Sequence, residues 1–165
     1  MTELRGERVA LAPTTVDDGP ALRAIHAAEE VARWWDDPAP DFPDLDDDEL
    51  ELFTIRHDGE IAGMIQVYEE TDPKYRYAAL DLFVAPPHQR QGVGTEAIRL
   101  LLEELLERRG HHRITIDPAV DNAAAIACYG RLGFEPVGVL HRAERDRDGQ
   151  GWHDQLLMEL VRDNR

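Results

Sequence analysis

The sequence predicts a single mixed α/β domain, residues 1–165, and three observations carry that prediction. The 165 residues suffice for one domain with a substantial core. Segments with strand-like and helix-like hydrophobic periodicity follow one another from end to end. No internal repeat, linker or low-complexity tract divides them.

The elements read in order. "ERVALAPT" alternates as a first strand. "TVDDGPALRAIHAAEEVARWW" follows as a helix, with Thr and Asp as start signals and Leu22, Ile25 and Val31 at helical spacing. "ELFTIRH" and "EIAGMIQVYEE" form a hairpin, because the intervening Asp58-Gly59 favours a tight turn. "KYRYAALDLFV" is a further strand, reached through "ETDP". A second helix opens near Gly92 and places Val93, Ala97, Leu101 and Leu105 on one face. "RITID", the helix "NAAAIACYGRL", "FEPVGVLHRAERD" and "WHDQLLMEL" complete the chain. The resulting sheet is mixed, mostly antiparallel, and flanked by helices.

Charge narrows the partners. With 34 acidic against 18 basic residues the formal net charge is -16, a field that repels nucleic acid and anionic membranes and attracts cations. Nine acidic residues and no basic one lie between Asp36 and Glu51, where three prolines favour a loop or broken helix. That stretch is either a solvated loop or one wall of a site for a cationic substrate. No apolar run approaches the roughly 18 residues of a membrane span. "MTELRGERVALAP" lacks an export pattern, so a cytoplasmic protein is expected. Cys128 is the sole cysteine, which excludes an internal disulfide and a multi-cysteine metal site; no metal is expected.

The most specific stretch is "HQRQGVGTEAIRLLLEELLERRG". A helix N-terminus carries unpaired N–H groups and partial positive charge, and both suit a phosphate. Gly92 and Gly94 would let the backbone approach a pyrophosphate, with Arg90 adding charge. A P-loop is excluded, since no Gly-Lys-Ser/Thr is present. "GVGTEA" fits a dinucleotide fingerprint, but seven residues separate it from the strand ending at Val84, and too few βαβ units follow.

Gln89-Arg90-Gln91-Gly92-Val93-Gly94 resembles the Q/R-x-x-G-x-G/A signature of the GNAT acyltransferase superfamily. "DNAAAIACYGRLGF" resembles the same family's second half at the matching spacing. The resemblance implies a GNAT-like fold and an acetyl-CoA-dependent transferase. It places the pyrophosphate on Gln89 to Thr95 and the pantetheine arm beside Phe83 and Val84, with Asn122 touching that region. Tyr129 takes the position of the general acid that protonates the departing thiolate. Exposed final strands often pair in such folds, which is compatible with a homodimer.

The chemistry requires a base as well, because an amine attacks a thioester only when neutral. Asp81 stands on the same strand face as Phe83 amid apolar neighbours, and Asp117 at the end of "ITID" is the second candidate. A backbone amide at the strand end, such as that of Val84, could stabilise the oxyanion. A narrower resemblance, through "TIDPAVDNAAAIACYGRLGFEPVG" and "HAAEEVARWWDDP", is to aminoglycoside 6'-N-acetyltransferases. It implies Asp81 as base and Asp117 and Asp154 as substrate contacts. Trp34 and Trp35 would offer either a face for a sugar ring or packing, and Tyr68 and Glu70 would border the cleft. The implied acceptor is a small polycationic amine. The opening "LRGERVALAPTTVDDGPAL" also resembles GNATs that acetylate protein N-termini, which leaves a protein tail as the alternative acceptor. A non-catalytic acyl-CoA-binding module is the remaining alternative.

Overall fold

A computed structural model describes residues 2–163 of the chain. Its strands are β1 (Leu4–Arg5), β2 (Val9–Pro13), β3 (Leu50–His57), β4 (Glu60–Glu70) and β5 (Tyr77–Val84), followed by β6 (Arg113–Ile116), β7 (Glu135–Arg145) and β8 (Trp152–Val161). The helices are α1 (Gly19–Ala27), α2 (Glu29–Trp35), α3 (Val93–Glu103) and α4 (Ala123–Arg131). One eight-stranded sheet runs in the order β1-β2-β3-β4-β5-β6-β8-β7. Its neighbours are antiparallel except for the parallel pair β5 and β6. The mixed, mostly antiparallel sheet expected from the sequence is therefore present.

Side-chain alternation divides the sheet into two faces. Ala78, Leu80, Ile114, Ile116 and Met158 belong to the larger core, with Val93, Ala97, Ile98 and Leu101 of α3 and Tyr129 of α4. Met64 and Phe83 point the other way and pack on Leu22 of α1 and Val31 of α2. Fully burying a Leu or Phe stabilises by about 1.5–3 kcal/mol, so both faces are held firmly.

Three local features differ from the sequence reading. The first helix is two helices, broken at Ala28, which is extended (φ -62°, ψ 138°). An unbroken helix would set Glu29 one turn beyond Ile25, on the apolar face. The break leaves Glu29 exposed and turns Val31 inward. β1 was not foreseen, being only two residues long. α3 continues as a π-helical turn over Glu104–Arg108. The Asp58-Gly59 hairpin turn matches expectation, with φ 50° and 86°.

Two features of the central strands position the site. β4 carries an extra residue, Ala62, between Gly63 and Ile61, and the Ala62 carbonyl accepts from the Ala85 amide at 2.7 Å. β5 pairs with β6 only at Ala78–Ile114 and Ala79–Thr115, so its last residues run on beside an open gap. No helix of the described residues is long and apolar enough to cross a membrane.

Gly63 is a structural requirement. A Cβ there would overlap the Phe83 carbonyl oxygen across the strand pair. Gly63→Ala is expected to destabilise the fold by about 1–3 kcal/mol, read as a lowered midpoint in thermal unfolding.

Candidate functional site

The gap is lined first by backbone. The Phe83 carbonyl points at Gly63 in β4, so Leu82 and Val84 direct theirs away from β4, into the gap. The Trp35 indole N–H donates to the Leu82 carbonyl at 3.1 Å, and Gln89 Nε2 donates to the Val84 carbonyl at 2.8 Å. Phe83 itself is buried against Trp35, Phe42 and His26. Of the two strand residues predicted to flank a cofactor, Val84 faces the gap with its backbone, and Phe83 instead anchors the opposite face.

The glycine loop opens directly from this strand end. Pro86–His88 form a 3-10 turn, and His88 Nδ1 meets Nδ1 of the buried His57 at 2.8 Å. Gln91 Nε2 donates to the Pro87 carbonyl at 2.8 Å. Arg90 and Gly92 both take left-handed φ, 60° and 76°. Gln89 to Gly92 are exposed, and α3 starts at Val93 with the Gly92 carbonyl accepting from the Glu96 amide. Nothing stands within 4 Å of where a Gly92 Cβ would project. This bare cradle at the mouth of an 11-residue helix fits a pyrophosphate, with Gly92, Val93, Gly94 and Thr95 supplying N–H groups. Gly94 has a different role from Gly92, because its Cβ would only touch Val84 and Leu82 at 3.6 and 3.7 Å. It fits the helix closely against the strand.

Across the gap stands α4. Asn122 caps it, its side chain accepting from the Ala125 amide at 3.3 Å, and Cys128 lies 3.3 Å from the Thr95 hydroxyl. Tyr129 is buried in the larger core, and its hydroxyl hydrogen-bonds to none of the described residues. Burial raises that hydroxyl above the usual tyrosine range, and the nearby Asp81, Cys128 and Asp117 add to the rise. Tyr129 therefore keeps its proton at neutral pH and lies close to both aspartates.

Asp81 points to the α1–α2 face of the sheet, as Phe83 does. Solvent reaches it, but closely packed protein raises its carboxyl to about 8, with Asp117 and Glu144 contributing and the Leu82 amide opposing at 2.9 Å. Asp117 follows β6 on the same face and is also raised by burial, against its own backbone amide. Glu144 of β7 is raised chiefly by burial and further by Asp36 and Asp117, although His153 opposes this. No arginine or lysine among the described residues pairs with Asp81, Asp117 or Glu144.

The remaining sequence candidates divide. Tyr68 pairs with Ala79 and Glu70 with Tyr77, which puts both on the Asp81 face. Trp35 packs edge-on against Phe83 at 5.0 Å and braces α2 against β5, while half-buried Trp34 lies under Arg33 at 4.7 Å. Asp154 is not with the other carboxylates. It alternates with Leu156 and Met158, toward the α3–α4 face, and accepts from the Arg142 amide at 2.7 Å. That bond, with His141 beside it, holds its carboxyl below the usual range. Among the described residues no group of three or more His, Cys, Asp or Glu is placed to hold a metal ion. The acidic stretch after Asp36 is an anchored loop. Arg23 donates to the Ala39, Pro40 and Phe42 carbonyls, and Phe42 lies against Phe83.

Glu144 was not among the sequence candidates, and Asp36 entered only as the first residue of the acidic stretch. Glu144 is one acid among the alternating charges of "HRAERDRD", and only strand pairing shows that it shares a face with His153.

Residues 18–134 match the acetyltransferase (GNAT) family. A spermidine N(1)-acetyltransferase of Escherichia coli is 27% identical over 131 residues, 72% of this chain and 70% of that protein. A ribosomal-protein-alanine N-acetyltransferase of Escherichia coli is 35% identical over 80 residues, 48% of this chain and 52% of that one. An aminoglycoside N(6')-acetyltransferase type 1 of Klebsiella pneumoniae is 38% identical over 73 residues, 44% of this chain and 35% of that one. A solved ribosomal-protein α-N-acetyltransferase in complex with coenzyme A shares the fold, with TM-score 0.81 at 18% identity, covering 99% of this chain and 100% of that one.

Burial is the main cause of the raised Asp81 carboxyl and the like charge of Asp117 the next, so Asp117→Asn is expected to lower the Asp81 midpoint from about 8 while leaving it above the ordinary range. Carboxyl carbon chemical shifts followed against pH would record it.

Proposed function

The chain belongs to the GNAT acetyltransferase family and is an acetyl-CoA-dependent N-acetyltransferase, and from that premise we propose that its acceptor is a primary amine of a small polycation, an aminoglycoside 6'-amine or a polyamine. The observation that carries this reading is the placement of Asp81, Asp117 and Glu144 on one face of the sheet, none of them paired with an arginine or lysine among the described residues, beside a gap-facing strand and a bare glycine loop. A polycation supplies ammonium groups that form charge-assisted hydrogen bonds with such carboxylates.

The donor supplies an activated acyl thioester. In the proposed mechanism Gln89, Arg90, Gln91, Gly92, Val93, Gly94 and Thr95 hold its pyrophosphate through loop backbone and the α3 N-terminus. Asp81 takes the proton from the acceptor ammonium, leaving a neutral nitrogen lone pair for the carbonyl carbon. A carboxyl with a midpoint near 8 is a stronger base than an ordinary aspartate and is matched to this transfer near neutral pH. The Val84 N–H, on the gap side of β5, stabilises negative charge growing on the carbonyl oxygen. Tyr129 gives its proton to the departing sulfur as the carbon–sulfur bond breaks, and its elevated hydroxyl ensures that the proton is present.

The second reading is a protein N-terminus as acceptor, favoured by the ribosomal-protein relative at 35% identity. Thiol release from acetyl-CoA, with kanamycin, tobramycin, spermidine and a basic N-terminal peptide in parallel, separates the two. Release with the small polycations supports the proposal, and release with the peptide alone replaces it.

Asp81 acts in its deprotonated form, so kcat/KM is expected to rise about tenfold per pH unit below 8 and to level above it. Asp81→Asn should abolish that limb, measured as initial rates from pH 6 to 9. Should Asp117→Asn be the more damaging change throughout, the base is Asp117. Gly92→Val adds a β-branched side chain at φ 76° that projects into the cradle, and should weaken acetyl-CoA binding at least tenfold by calorimetry. Gly94→Ala, meeting only ordinary contacts, should bind nearly as wild type.

A further inference from the structure

His57 ends β3 as a buried residue and meets the turn from which the glycine loop opens. Its Nδ1 lies 2.8 Å from Nδ1 of His88, the last residue of that turn, and the two rings stand near-perpendicular at 76°. The outer nitrogen of each ring meets an acid. His57 Nε2 is 3.5 Å from Asp58, and His88 Nε2 is 3.5 Å from Glu60. Arg8 pairs with Asp58 at 2.6 Å, and Glu96 of α3 accepts from the Arg8 and Val9 amides. Arg8, Asp58, Glu60 and Glu96 are thus the charged groups that the β1–β2 turn, the β3–β4 turn, β4 and α3 set around the pair.

Two ring nitrogens this close need one proton between them and cannot hold two. With one proton the contact is a hydrogen bond, one ring donating and the other accepting. With a proton on each Nδ1 both rings are donors, and they repel. Imidazole takes up its second proton at mildly acidic pH, so the contact fails there. The failure reaches the loop because His88 ties it to the neighbouring strands. Gln89 and Gln91 donate to the Val84 and Pro87 carbonyls, within the strand end and the loop itself. Among the described residues, no side chain of residues 85–92 other than His88 hydrogen-bonds to another element.

We propose that His57 is a positioning residue for the acyl donor, fixing the glycine loop in its pyrophosphate-binding shape through His88, and that this hold is released when both imidazoles carry a proton. The proposal rests on the reading of Gln89 to Thr95 as the pyrophosphate cradle and adds to it a residue from a distant strand. Being buried, His57 acts on the donor only through His88. Arg90 and Gly92, both at left-handed φ, follow His88 by two and four residues and take their place from that hold.

The test is calorimetric titration of coenzyme A into wild type, His57→Asn and His57→Leu at pH 8 and pH 6. Asparagine offers an amide where Nδ1 stands, which bonds to either protonation state of His88 and takes up no proton, whereas leucine offers nothing. At pH 8 His57→Asn is expected to bind within about threefold of wild type, and His57→Leu about tenfold more weakly, as loss of one buried hydrogen bond does. From pH 8 to pH 6 wild type should lose about tenfold more affinity than His57→Asn, the limit for one linked proton over one pH unit. The phosphates of the ligand titrate alike with every protein and cancel in the comparison. Should His57→Leu fail to fold, His88→Leu removes the same contact from the partly exposed turn. Affinity equal to wild type in the leucine variant at pH 8 overturns the positioning role, and parallel pH profiles of wild type and His57→Asn overturn the release. Gly92→Val separates these failures from that of the cradle. If it binds coenzyme A as wild type does, the cradle reading falls and the proposal with it; lost binding there, with unchanged binding in His57→Leu, removes the positioning role alone.

Discussion

The site depends on one missing run of backbone pairing. β5 and β6 lie parallel and are joined at only two residue pairs, after which β5 continues toward Val84 without a strand beside it. A sheet interior normally satisfies both edges of every strand, and an unpaired edge invites another partner. Here Trp35 and Gln89 occupy the carbonyls of Leu82 and Val84, which leaves an opening that no β-strand fills. Tyr129 approaches it from the α3–α4 face, and Asp81 and Asp117 border it from the other. An acyl donor and an amine can therefore meet through the sheet, from opposite faces.

Electrostatics follow from that geometry. Partly desolvated surroundings disfavour charge on Asp81, Asp117 and Glu144, all of which are raised, and neighbouring carboxylates add to the rise at Asp81 and Glu144. An arginine within the cluster would quench this, but Arg147, Arg145 and Arg23 are engaged with the surrounding loops. The excess acid of the whole chain is thus accompanied by a local arrangement that favours a cation at the gap. The tryptophans support it indirectly, through Trp35 bracing α2 on β5.

Much of this was legible in the sequence because the signals are local. Strand alternation in "YAALDLFV", the glycine loop before an amphipathic helix and the Asp-Gly turn each specify their own geometry. Asp81 stood out as an acid among apolar residues, and the structure places it beside the gap. What the sequence hid depends on pairing between distant segments. The face of Glu144 follows from the irregular β7 register, whereas the face of Asp154 could have been taken from its local alternation with Leu156 and Met158. The break at Ala28 was concealed by continuous helical propensity, although Glu29 at the apolar position one turn after Ile25 was the available warning. Asn122 carried two roles in one motif, and the capping role is the one its geometry displays.

The most direct measurement is the change in backbone amide chemical shifts when coenzyme A is added to the isotopically labelled protein. The largest changes should fall at Val84, at Gly92 to Thr95 and around Tyr129, with the β2–β3 end of the sheet unmoved. Changes concentrated away from the β5–β6 gap, or none at these amides, would contradict the assignment of that gap as the place where donor and amine meet.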